Sequence, residues 1–392
     1  MSEGERSALP VAFALALASA VSLGLARFSY ALLLPAMRAD LGWSFFTAGA
    51  MNTGNAAGYL VGALLAPRWL ARFGARAVLI AGGLGATLML AAHGLVLGDA
   101  ALMCLRFGVG VASAASFVGG GLLAARLAGG ALSAGLVLGI YYGGTGLGIV
   151  ASAWLVPPLA ERHAPHAWQG AWWALAAAAL VATATTASAT RHLAVPPTRG
   201  AARVSFRWAP MRYALAGYLM FGLGYIGYMT FVITLLRQQG LSAAQTVGFF
   251  TLLGAGVVAS SWLWAGLLQR CRGGQALALL NALLAVATLL PVLSAHPVVV
   301  FASGGLFGAV FLSVVASTTA LVRHILPSTA WPGGIAAFTI VFAAGQIVGP
   351  SAVGWVADGA GGLARGFAAS AAALALGALL ALLQKPLASI DG

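Results

Sequence analysis

Only seven of the 392 residues are acidic, one is a lysine and two are cysteines. Charged residues make up 7% of the chain and hydrophobic ones 61%, a balance that excludes a soluble globular domain of this size. The seven acids, Glu3, Glu5, Asp40, Asp99, Glu161, Asp358 and Asp391, fall in tails, loops or the ends of apolar runs. Proton-coupled pumps commonly use carboxylates or histidines buried within the membrane, so a carboxylate-based drug/proton antiport is disfavoured. His93 is the one histidine placed within an apolar run, near its end. The runs hold no catalytic dyad and no metal-ligand cluster, which argues against an intramembrane enzyme, and no cofactor is expected. His163 and His166 share an outer loop with Glu161 and read as solvated rather than as a metal site. Cys104 lies in an apolar run and Cys271 in a basic loop, so no disulfide is expected. The N-terminus lacks a basic region before its first apolar stretch, which reads as a retained helix.

What the chain has is apolar length. Twelve segments approach the roughly 20 residues needed to span a bilayer: 11–36, 45–66, 77–97, 100–123, 133–156, 168–189, 212–236, 244–268, 275–294, 298–321, 332–356 and 364–383. The net charge of +13 resides in the short loops between them. Fourteen of the twenty basic residues fall on one side, four on the other, and Arg27 and Arg106 inside spans. This asymmetry places both termini in the cytoplasm and argues against nucleic acid as a partner. The preference for Arg over Lys, with abundant Ala and Gly, fits a GC-rich bacterial genome, hence the inner membrane of a bacterium.

Residues 190–211 form the longest polar linker and divide the chain into halves, 1–189 and 212–392. The stretch from Gly24 and that from Gly222 are weakly alike, as expected for a duplicated half. In that register Arg27 meets Tyr225.

Several motifs carry a resemblance. The loop after the second span contains Arg72, Gly74 and Arg76, with Ala71 preceding them; the fourth span has Arg106 and Gly110 four residues apart; the fifth is glycine-rich around Gly139 and Gly143; the eleventh ends GWVAD at Asp358. Together with the twelve segments and the central basic loop, these resemble the major facilitator superfamily. The stretch from Arg27 to Leu64 is similar to its bacterial YbfB/YjiJ-like branch. The resemblance implies an all-α polytopic membrane protein, with twelve transmembrane helices in two pseudo-symmetric six-helix halves. It also implies alternating access around a midplane site, and conformational roles for Arg72, Gly74, Arg76, Arg106, Gly110, Gly139 and Gly143. Ala71 and Gly144 replace the family's usual Asp and Pro at their positions.

Arg27 carries the sharpest functional signal. An arginine central in a span costs about 2.5–3.5 kcal/mol on insertion scales and usually faces a cavity or a polar partner. It reads either as an anion-capturing fork or as a structural group bonded to carbonyls or to Asn52 and Asn55. Tyr30, three residues on, shares its helix face and sets a phenol alongside. Asn52, Asn55 and Tyr59 form a polar stripe on the second span, and Tyr218, Phe221, Tyr225 and Tyr228 an aromatic stripe on the seventh; both stripes read as cavity lining or as packing. Tyr141 and Gln346 are further candidates for substrate contact. Glycines at four-residue spacing (Gly58/Gly62, Gly139/Gly143, Gly144/Gly148, Gly345/Gly349) allow close helix approach and are expected where the halves meet.

The leading expectation is a monomeric secondary transporter in the lipid bilayer that moves a small organic anion, with protons or a counter-anion as coupling species. Export of hydrophobic drugs or metabolites is the alternative, and a non-transporting sensor or scaffold the remote one.

Overall fold

The computed structural model describes residues 3–127, 133–160, 162, 164–193, 208–327 and 330–386. Among them there is no strand. A chain in lipid must satisfy its backbone polar groups internally, and an α-helix does so within one segment. In order the helices are α1 (Glu3–Ser19), a π-helical segment (Ala20–Phe28), α2 (Tyr30–Leu41), α3 (Phe45–Phe73), α4 (Ala75–His93), α5 (Asp99–Leu127), α6 (Ala134–Leu155), α7 (Pro157–Ala160), α8 (Trp168–Ala189), α9 (Arg212–Gln238), α10 (Ala243–Leu263), α11 (Ala265–Arg270), α12 (Gln275–Leu293), α13 (Pro297–Ile325), α14 (Trp331–Asp358) and α15 (Gly362–Leu382). The first span is continuous from α1 through the π segment to α2, and α10 and α11 make one span. Among the described residues, eleven spans are long and apolar enough to cross a membrane. The twelfth long helix is α3, with 29 residues; Asn52 and Asn55 lower its hydropathy.

Glycine ends two of these helices where the backbone requires it. Gly42 follows α2 at φ +66°, the left-handed stop that lets a terminal amide return to the Arg38 carbonyl. Gly74 separates α3 from α4 at φ +79° and ψ 161°, a region that residues with a Cβ avoid.

The chain forms two compact units. The first comprises residues 1–43, 54–200 and 240–258; the second comprises 44–53, 201–239 and 259–392. In the first unit α4 packs along α5 and α8, and α1 with the π segment packs along α6. In the second, α9 lies against α14 and α15, and α12 against α13 and α15.

The glycine stripes account for much of this packing. On α6, a Cβ at Gly144 would press into the Ala16 backbone, and one at Gly148 would lie 2.9 Å from the Gly24 Cα. On α14, Gly345 and Gly349 meet the backbone of α9 at Leu219 and Leu223. Gly58 and Gly62 of α3 meet α5 at Phe107 and Val111. These three stripes therefore join helices within one six-helix half, which corrects for Gly58/Gly62, Gly144/Gly148 and Gly345/Gly349 the expectation that they lie where the halves meet. The reason is general: small residues serve wherever backbones approach, irrespective of which elements move. Gly139 and Gly143 are buried on α6. Its Gly146 is the glycine that abuts α10, at Gly254 and Val258 within the first unit.

In the second unit, Asp358 at the end of α14 accepts from the amides of Phe45 and Phe46, at 2.8 and 2.9 Å. It thereby satisfies two amides that the first turn of α3 leaves without intrahelical partners, and it places a negative charge at a helix N-terminus. Thr53 donates to the Ile347 carbonyl at 2.6 Å, eight residues further along α3.

Candidate functional site

Arg27 lies in the last turn of the π segment, where all nine residues are buried. The local sequence explains the widened helix. Gly24 lets the chain press against Gly148 of α6. Ser22 and Ser29 return their hydroxyls to the carbonyls of Ala18 and Leu25, four residues back, and such bonds bend a helix. The Ser29 amide reaches the Gly24 carbonyl at 3.0 Å, five residues back, the bond that defines a π turn.

That turn undoes the face argument for Arg27 and Tyr30. Three-residue spacing places two side chains together on a regular α-helix, but the π segment closes between these two. The Arg27 guanidinium lies 5.6 Å from the Tyr59 ring centroid and 5.8 Å from that of Phe28. Tyr30 instead places its buried ring under Arg106, 4.5 Å from the guanidinium carbon.

Arg106 is 1% exposed. It donates to the Ala26 carbonyl of the π segment at 3.2 Å and lies 6.0 Å from the Trp172 ring. Asn55 donates to the Arg106 carbonyl at 3.1 Å. Gly110, one turn on, brings α5 so close to α3 that a Cβ there would collide with the Asn55 carbonyl oxygen and sit 2.7 Å from the Tyr59 nitrogen. The carbonyl that Arg106 takes belongs to Ala26, the residue before Arg27. The first unit thus gathers two buried guanidinium groups, one asparagine and two phenols at membrane depth.

The carboxylates near the ends of the spans are engaged elsewhere. Asp40 accepts from His166 and Trp168, each at 2.6 Å. Asp99 accepts from Trp43 at 2.7 Å. Of the proposed loop histidines, His163 lies outside the described residues; no metal-binding group of three or more His, Cys, Asp or Glu occurs among the described ones.

The remaining first-unit candidates have structural partners. Tyr141 is fully buried in a hydrophobic cluster with Leu15, Leu79 and Val137, its hydroxyl donating to the Phe117 carbonyl at 2.6 Å. Arg72 lies over the neighbouring Phe73 ring. Arg76 donates to the Ala187 carbonyl at 2.9 Å, tying the start of α4 to the last turn of α8, where helix carbonyls favour a cation.

In the second unit Asn52 donates to Thr230 at 2.7 Å, so neighbouring asparagines on one helix serve different units. Tyr225 donates to Gln346 at 2.7 Å, and its ring stacks with Phe221 and Phe342 at 4.6 and 5.6 Å. Tyr228 stacks on Phe307 at 3.9 Å and shares a 2.7 Å bond with Ser303, which in turn reaches the Ala287 carbonyl. Thr230 and Ser303 escaped the sequence reading because a hydroxyl within an apolar run carries no periodic signal.

The family model described as "Uncharacterised MFS-type transporter YbfB" matches residues 19–382. No curated protein sequence matches significantly. Two solved structures share the fold. The nucleoside transporter NupG superposes with a TM-score of 0.71 at 14% identity over 95% of this chain and 97% of that one. A bacterial homolog of the human lysosomal transporter Spinster, inward-facing and unoccupied, gives 0.70 at 13% identity over 97% and 96%. With twelve long helices among the described residues, a buried polar cluster and a family match over residues 19–382, this chain belongs to the YbfB-like family of major facilitator superfamily transporters.

Proposed function

We propose that this transporter moves a small organic anion by alternating access, with Arg27 as the principal contact for the anion. The observation that supports the reading most is the convergence of Arg27 and Arg106 in one buried cluster. Each central arginine costs about 2.5–3.5 kcal/mol on insertion scales, and two that repel cost more. A carboxylate received by a guanidinium fork offsets that cost and gains short, charge-assisted bonds. Asn55, Tyr59 and Tyr30 complete the polar surroundings in the first unit, and Asn52, Tyr225, Tyr228 and Gln346 are the second unit's own candidates for substrate contact. The halves 1–189 and 212–392 are proposed as the bodies that rock, and Gly110, Gly139 and Gly143 as residues that shape the change of conformation. Both termini are proposed to be cytoplasmic, and the protein to act as a monomer in a bacterial inner membrane.

One observation favours a second reading. Tyr218, Phe221, Tyr225, Phe311 and Phe342 form a continuous aromatic cluster in the second unit, which suits a hydrophobic solute. Thermal unfolding of the purified protein separates the two. A ligand at 100 times its Kd stabilises the folded state by about 2.7 kcal/mol. Benzoate or succinate is expected to raise the midpoint, whereas uncharged nucleosides and hydrophobic amines are expected to leave it unchanged. Stabilisation by the amines alone overturns the anion reading.

A further inference from the structure

His93 is a buried titratable group that the proposed anion contact does not use. It ends α4 and is fully enclosed. Its Nδ1 lies 2.7 Å from the Met89 carbonyl of its own helix. A carbonyl only accepts, so Nδ1 carries the ring proton and Nε2 is left as an acceptor. That Nε2 is buried and has no hydrogen-bond partner among the described residues. An unsatisfied buried acceptor is costly and calls for an explanation.

The neighbours supply one. The His93 ring stacks on Trp172 of α8 at 4.4 Å, and the Arg106 guanidinium lies over the same indole. The elements packed against α4 are α5, α8 and the π segment. Their charged residues are Asp99, Arg106 and Arg126 on α5 and Arg27 on the π segment; α8 has none. Among these, Arg106 shares the Trp172 indole with His93, and it bonds the carbonyl of Ala26, the residue before Arg27.

We propose that His93 Nε2 takes up the proton that travels with the anion, making the protein a proton–anion symporter coupled through Arg106. The proposal rests on the anion reading above. A proton on Nε2 adds a third positive charge to a cluster that already holds two, and like charges repel. A carboxylate held by the guanidinium groups cancels one of them, so proton and anion favour each other's binding. By linkage, each raises the affinity of the other by the same factor. In the step itself, hydronium gives its proton to the Nε2 lone pair, forming an N–H bond and leaving water; release on the far side reverses it, with no change of oxidation state. One monocarboxylate and one proton add no net charge to the carrier, so the form loaded with benzoate crosses independently of the membrane potential.

The test uses purified full-length protein in weak buffer at neutral pH, with benzoate and succinate as probes. Both are fully ionised there, so protons taken up on binding go to the protein. Wild type is expected to take up about one proton per bound anion, and its affinity to fall about tenfold per pH unit over the linked range. His93→Gln, with His93→Asn as a second variant should the first fail to fold, is expected to bind without proton uptake and with no such pH dependence. Anion binding to wild type without proton uptake overturns the coupling and leaves the anion reading standing, as does unchanged uptake in a folded His93 variant. If neither probe binds wild type, the anion reading fails and the coupling fails with it.

Discussion

Arg27→Ala is expected to abolish carboxylate transport in a protein that still folds. A hydrogen bond to a charged group is worth about 1.5–3 kcal/mol, or roughly 10–150-fold in affinity, and loss of a two-armed fork costs more. Arg27→Lys keeps the charge but not the planar fork, so it should recover less than about a tenth of the wild-type rate. Because Arg27 also lies against Tyr59 and Phe28, Arg27→Gln serves as a second variant that fills more of its volume, and folding is read separately from transport. Uptake into proteoliposomes, paired with thermal unfolding in detergent, reads both effects. Normal uptake by the Ala variant would end the anion-capture role.

Gly110→Ala is expected to act in the opposite way, on the fold before the transport. A methyl at this position meets the Asn55 carbonyl and the Tyr59 amide rather than a side chain that can swing aside. Overpacking of this kind costs about 1–3 kcal/mol, and it displaces the turn of α3 that carries both Asn55 and Tyr59. The midpoint of thermal unfolding should fall clearly, and Gly110→Leu should fall further or fail to express. Equal stability of wild type and Gly110→Ala would contradict the close approach of α3 and α5.

Spans and family were legible because apolar length and loop charge are local properties. Each run announces itself whatever it packs against, and α3 was recognisable despite two asparagines because its flanking loops were. The pairing of side chains was not legible. Arg27 and Tyr30 looked like neighbours on one face, but a π turn driven by Gly24, Ser22 and Ser29 gives Tyr30 to Arg106 and Arg27 to Tyr59. Asn52 and Asn55 looked like one polar stripe, yet one bonds Thr230 and the other the Arg106 carbonyl. The glycine stripes were visible as close-approach surfaces, but spacing alone does not name the opposing helix. His93 was visible only as a lone histidine near the end of a span; its stacking on Trp172 depends on a contact about 80 residues away in sequence.

The anion reading is tested most directly by what the wild-type protein carries. Proteoliposomes would be exposed to an equimolar mixture of small carboxylates, uncharged nucleosides and hydrophobic amines, and their contents measured by mass spectrometry against protein-free vesicles. The arginine cluster predicts enrichment of one or more carboxylates, with nucleosides and amines at background. Enrichment of a nucleoside or an amine, with every carboxylate at background, would contradict it.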